Sequence, residues 1–181
     1  MHPLTYPGLL TALLSSLHLA AAHSIPFEPH KPTPNLVAGT WSVVTANITT
    51  NGTTAPAFGD HPTGILIFAP TFYFSELITV DTATLPRFAS NNRADGTAAE
   101  NAAVVAGTIG QIGNYTVASD GTFESDLIIA STFPNWIGLD RNMTALNETL
   151  EEGGRFMREM LHDAGTTTRV EILWERVGGW E

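Results

Sequence analysis

The sequence predicts an all-β fold, a small closed antiparallel barrel of about eight strands with one short helix between the third and fourth. Three observations carry this. Short runs rich in β-branched and aromatic residues recur along the chain, each bounded by Gly, Asn, Asp or Pro. Tight turns at Ala69-Pro70-Thr71, Ser119-Asp120-Gly121 and Glu152-Gly153-Gly154 join successive runs, so neighbours should be antiparallel and the path a meander. Finally, Gly39-Thr40-Trp41 opens the first run and Leu173-Trp174-Glu175-Arg176 closes the last. A barrel must seal one end, and a glycine allowing close approach, a plugging Trp and an Arg stacked on the indole would do so. Trp41 and Arg176 are therefore expected within stacking distance, with an interior able to hold one small molecule.

Residues 1–22 read as a signal peptide, with an apolar stretch at 9–21 too short to span a bilayer and Ala20-Ala21-Ala22 as a cleavage site. The leading stretch departs from the pattern in having no Lys or Arg. Residues 23–35 form a tether containing Pro26, Pro29, Pro32 and Pro34, and residues 36–181 form the barrel domain. Strands are expected at 37–49, 64–69, 72–79, 114–118, 122–131, 143–150, 155–162 and 167–176. The Ala-rich segment 97–110 reads as the helix, lying over a barrel opening or along its wall, with Ala99, Ala102, Ala103, Ala106 and Ile109 as a narrow face. Alternation puts Val170, Ile172 and Trp174 on one side of the last strand, with Arg169, Glu171 and Glu175 on the other.

Five Asn-x-Thr acceptors, at Asn47, Asn51, Asn114, Asn142 and Asn147, agree with a secretory address. If Asn114 carries a glycan outward, Tyr115 and Val117 face inward. Asn142 and Asn147 have opposite parity, so a bulge or loop must separate them. The chain has no cysteine, which removes disulfides, thiolate nucleophiles and Cys-ligated metal. Its formal net charge of −10 disfavours nucleic acid and anionic membrane surfaces as partners. Without the leader about 160 residues remain, enough for one domain with its own core.

No chemical signature dominates. His23 and His30 sit in the tether, while His61 and His162 lack a partner at metal-ligand spacing. There is no Gly-x-Ser-x-Gly elbow, and the glycines of Gly107-Thr-Ile-Gly110-Gln-Ile-Gly113 lack dinucleotide-binding spacing. No metal or cofactor is expected. What remains is a set of aromatic and polar residues beside strand ends: Trp41, Phe68, Phe72, Phe88, Tyr115, Asn135, Trp136 and Trp174 as walls for a flat apolar ligand. His61 could serve as acid or base, and Tyr73 or Arg87 could bind a carbonyl or phenolate oxygen. Taken singly, Phe72, Phe74 and Trp136 read first as core, and Asn135 and Asp60 as turn caps. Glu76 and Asp126 could be buried carboxylates, but read first as outward and solvated. The sequence leaves a homo-oligomer open.

Several pieces of the chain carry a resemblance: Leu36-Val37-Ala38-Gly39-Thr40-Trp41, Phe58-Gly59-Asp60-His61-Pro62-Thr63-Gly64, Phe72-Tyr73-Phe74-Ser75, Arg87-Phe88, Gly113-Asn114-Tyr115, Ser131-Thr132-Phe133-Pro134-Asn135-Trp136-Ile137-Gly138 and Leu173-Trp174-Glu175-Arg176. At these positions the chain resembles the lipocalin-like domain family. With its leader and sequons it is similar to secreted fungal members of secondary-metabolite pathways, the hetero-Diels-Alderases of tropolone–sesquiterpenoid meroterpenoid biosynthesis. That resemblance implies dehydration of a hydroxymethyl tropolone or phenol to an o-quinone methide, then [4+2] addition to a humulene-type alkene, without a cofactor. It carries over no catalytic residue. A non-redox dehydratase, cyclase or isomerase, or a secreted carrier of a small apolar metabolite, would suit the same cavity.

Overall fold

The computed structural model describes residues 33–85, 87–162 and 165–179. The leader 1–22 and most of the tether lie outside the described residues. Ten strands are formed: β1 (Gly39–Thr50), β2 (Thr53–Pro56), β3 (Thr63–Phe68), β4 (Tyr73–Thr79), β5 (Thr108–Val117), β6 (Phe123–Ser131), β7 (Asp140–Asn142), β8 (Leu146–Glu151), β9 (Phe156–His162) and β10 (Arg169–Gly178). All pair antiparallel, in the order β7-β6-β5-β4-β3-β1-β10-β9-β8, with β2 added beside β1. The first long strand thus pairs with the last. At the two ends of this path β7 and β6 meet β8 across a seam, which leaves the barrel nearly closed.

The predicted turns all form. Phe72 N–H donates to Ala69 O, Gly121 N–H to Ala118 O, and Gly153 and Gly154 take φ of 68° and 90° between β8 and β9. Such left-handed backbone is least strained in glycine, so the turn chemistry sets the strand boundaries. Register slips in β1 between Val43 and Thr45 change its inward parity from Trp41 to Ala46 and Ile48. In β10, Val170, Ile172 and Trp174 face the interior as alternation requires.

The structure differs from the sequence reading in three elements. β2 forms because Asn51 and Gly52, at φ of 51° and 80°, make the two-residue turn that folds a hairpin back on β1. β7 is only three residues long, below the length at which alternation can be seen. The predicted helix 97–110 stops at Ala106: α1 (Ala98–Ala106) starts from a capping box between Thr97 and Glu100 and ends where Gly107 N–H reaches Ala103 O. Val80 N–H then captures Gly107 O, Thr108 pairs with Thr79, and β5 starts six residues earlier than alternation suggested.

The seal predicted at one end is present. Trp41 is wholly buried and its indole N–H donates to Val37 O at 3.0 Å. The Arg176 guanidinium lies 4.0 Å from the Trp41 ring and donates to Leu36 O, Ala38 O and Gly154 O at 2.8, 2.6 and 2.8 Å. A Cβ on Gly39 would sit 2.6 Å from Arg176 Nη1 and 2.8 Å from Gly178 O, so the close approach requires glycine there. Phe68, Phe74, Tyr115 and Phe123 pack this half of the core, with Phe68 and Tyr115 edge to face at 4.8 Å.

Candidate functional site

Toward the other end the interior is hollow. Trp41 pairs with Arg176 across the β1–β10 ladder, whereas Ile48, seven residues on, pairs with Val170, and both of the latter line a cavity of about 310 Å³. Its walls are apolar, from Ile48, Ile109, Leu161, Val170 and Ile172. Its mouth is framed by Phe58, Phe133 and Trp136, with Val105 and Ala106 of α1 on the rim. The helix therefore lies at the opening, Val105 remaining 73% exposed.

The floor is polar. Three cross-strand partner pairs point inward: Glu76 with Gln111 on β4–β5, Asp126 with Arg141 on β6–β7, and Glu148 with Glu159 on β8–β9. All six are at most 5% exposed. Glu76, Gln111, Arg141 and Glu159 reach the cavity surface. Gln111 Nε2 donates to Glu76 Oε2. Arg141 grips Asp126 with both Nε, at 2.8 Å, and Nη2, and its guanidinium lies 5.7 Å from the Trp136 ring. The Trp174 indole N–H donates to Glu159 Oε2 at 2.8 Å.

Four carboxylates share this interior with one cation, so not all can ionise. Burial raises Glu159, with Glu76 adding to the effect, to about 8, against the pull of Arg141 and the Trp174 hydrogen bond. Burial lifts Glu148 well above the ordinary carboxylate range, reinforced by Glu159 and Glu76. Glu76 is also raised by burial, opposed by the Gln111 hydrogen bond and Arg141. Arg141, despite its burial, is kept charged by Asp126. At neutral pH Glu159 is thus a carboxylic acid at the base of an apolar hollow, beside a fixed cation. Such a group can protonate a leaving hydroxyl or a carbonyl oxygen.

Among the site residues expected from the sequence, only Trp136 lines the cavity, packed edge-on against Phe133 at 5.4 Å. Asn135 is exposed in the short 3-10 turn Pro134–Trp136. Trp41, Phe68 and Tyr115 belong to the packed half; the Tyr115 hydroxyl donates to Ala69 O and accepts from Asn35 Nδ2, both at 2.7 Å. Trp174 is wholly buried and acts on the site only through its bond to Glu159. Phe72 sits at the turn before β4, 5.5 Å from Tyr115. Strand alternation turns Tyr73 outward, 56% exposed, while Phe74 goes in. His61 is exposed ahead of β3, Arg87 is exposed in the segment before α1, and Phe88 packs by Gly96. His61, Tyr73, Arg87, Asn135 and Trp136 therefore do not share one pocket. Glu76 and Asp126, read as solvated, are inside. Their signal was parity: Glu76 is in phase with Phe74 and Ile78, and Asp126 with Ile128.

Asn51 and Asn142 are exposed, whereas Asn47, Asn114 and Asn147 are half-buried. The turn at 143–145 supplies the break required between Asn142 and Asn147.

Residues 38–177 match the lipocalin-like domain family, more than three quarters of the chain, and the chain belongs to that family. No curated protein matches it.

Proposed function

We propose that this lipocalin-like protein is a cofactor-independent enzyme acting on a small, largely apolar metabolite, with Glu159 as its proton donor. The observation that carries the reading is a buried carboxyl group, Glu159, on the surface of an apolar cavity, where burial raises it to about 8. The reaction that suits it, and that the resemblance implies, begins with a hydroxymethyl tropolone or phenol. Glu159 protonates the hydroxymethyl oxygen, the C–O bond breaks with loss of water, and the ring hydroxyl gives up its proton, restoring the acid and leaving an o-quinone methide. A humulene-type alkene held in the same hollow then adds across it in a [4+2] step, closing a dihydropyran. That step needs apposition, exclusion of water and a donor to the quinone methide oxygen. Apolar walls and Arg141 supply these. The reading extends to the address: the leader and the sequons support passage through the secretory pathway.

Incubating the protein with a tropolonic alcohol and humulenol should yield one stereodefined adduct, and Glu159→Gln should slow its formation by roughly 10²–10⁴-fold, the scale of a general acid. Binding with an unchanged product ratio would make the protein a carrier.

A further inference from the structure

Among the described residues, four buried side-chain atoms lack a hydrogen-bond partner: Thr108 Oγ1, Gln111 Oε1, Arg141 Nη1 and Glu148 Oε2. Three of the four belong to residues that line the cavity. A buried polar atom left unpaired is costly and native folds hold few, so three gathered on one hollow mark hydrogen bonds that its occupant completes.

The chemistry of each atom says what the occupant must carry. Arg141 can only donate, and two of its nitrogens are committed to Asp126, so Nη1 requires an acceptor. Gln111 has committed Nε2 to Glu76, so its carbonyl Oε1 requires a donor. The Thr108 hydroxyl can do either. A hydrocarbon would leave all three unpaired. A multiply charged anion would meet Arg141 but would lie in an interior with four carboxyl groups, from Glu76, Asp126, Glu148 and Glu159, and one cation.

We propose that the cavity selects a neutral, mostly apolar molecule bearing one carbonyl-type oxygen and one hydroxyl, the oxygen accepting from Arg141 Nη1 and the hydroxyl donating to Gln111 Oε1. The proposal deepens the reading of this cavity as a substrate site and rests on it, but concerns recognition and not turnover. Arg141 is fixed by its double bond to Asp126 and backed by the Trp136 ring, so its free nitrogen is held in place and should discriminate sharply.

The three ring isomers of hydroxyacetophenone carry both groups and no leaving group, and serve as probes against methoxyacetophenone, which lacks the donor, and ethylphenol, which lacks the carbonyl. Calorimetric titration of the wild-type protein at pH 7 should find at least one hydroxyacetophenone binding roughly 5–150-fold more tightly than either analogue, the effect of stranding one buried partner. Arg141→Lys keeps a cation beside Asp126 but withdraws Nη1, and should erase the advantage over ethylphenol. Gln111→Met should erase the advantage over methoxyacetophenone. If no isomer binds, or all bind no better than the singly functional analogues, the proposal is overturned by the wild-type data alone, whatever the variants' folding. Selective binding without turnover of a tropolonic alcohol would remove the reaction and leave this inference standing. Turnover without selectivity would do the reverse.

Discussion

The two halves of the barrel interior solve the same problem in opposite ways. At the sealed end one cation, Arg176, has its Nε, Nη1 and Nη2 all engaged by backbone carbonyls, and its face is spent on Trp41. At the open end the other interior cation, Arg141, is held as firmly by Asp126, yet Nη1 is left without a partner in a side chain that lines the cavity. A satisfied polar group stabilises a fold; an unsatisfied one at a cavity keeps that stabilisation for a ligand. One half of this interior is built for stability and the other leaves hydrogen bonds unmade, and the same residue types serve both.

Substituting the plug should have the largest effect. Trp41→Ala deletes a wholly buried indole from the packed half and should cost about 3–5 kcal/mol, lowering Tm by roughly 6–20 °C in a calorimetric scan. Trp136→Ala, at the half-buried mouth, should move Tm far less and instead weaken ligand binding. If Trp136→Ala destabilises as much as Trp41→Ala, the division between a structural half and a ligand half fails.

A second effect is the pH dependence of stability. The folded-state value of Glu159 is about 8 against an ordinary 4.5, so between these the folded protein binds more protons than the unfolded chain. Stability from this group is fully present below the ordinary value and is lost as pH rises toward 8, with a slope of ~1.4 kcal/mol per unit. Glu148 acts in the same direction. Denaturant midpoints should therefore fall from pH 5 to pH 8, and Glu159→Gln should flatten that fall. A midpoint that rises with pH over this range would mean that the floor carboxyls are ionised in the folded state.

The legibility of the two halves in the sequence was unequal for a physical reason. Trp41, Gly39 and Arg176 could be read because a plug has few chemical solutions and these three residue types together make one. The meander could be read from its turns, since left-handed backbone restricts composition. The polar floor was hidden by the rule that carboxylates belong in water, although Glu148 sits in phase with Leu146 and Leu150 just as Glu159 does with Met157 and Leu161. Parity and polarity gave contradictory signals there, and parity was right. Arg141 left no signal of either kind: its strand is three residues long, and only the pairing with Asp126 brings it inside.

The smallest expected effect is also the one that best isolates the cavity. Tyr73 and Arg87 are the residues whose chemistry looks most suited to polarising a ligand oxygen, yet both are exposed and neither borders the hollow. Tyr73→Phe removes one outward hydroxyl, and Arg87→Ala removes a charge from an exposed segment ahead of α1. Each should change stability by no more than about 0.5 kcal/mol, as surface substitutions do. Adduct formation should stay within about twofold of wild type, because a donor must lie some 3 Å from the developing oxyanion to stabilise it. Measured beside Glu159→Gln, these variants distinguish residue chemistry from residue position. A large loss of rate in either, with Glu159→Gln unimpaired, would move the reacting centre out of the barrel and onto its outer face.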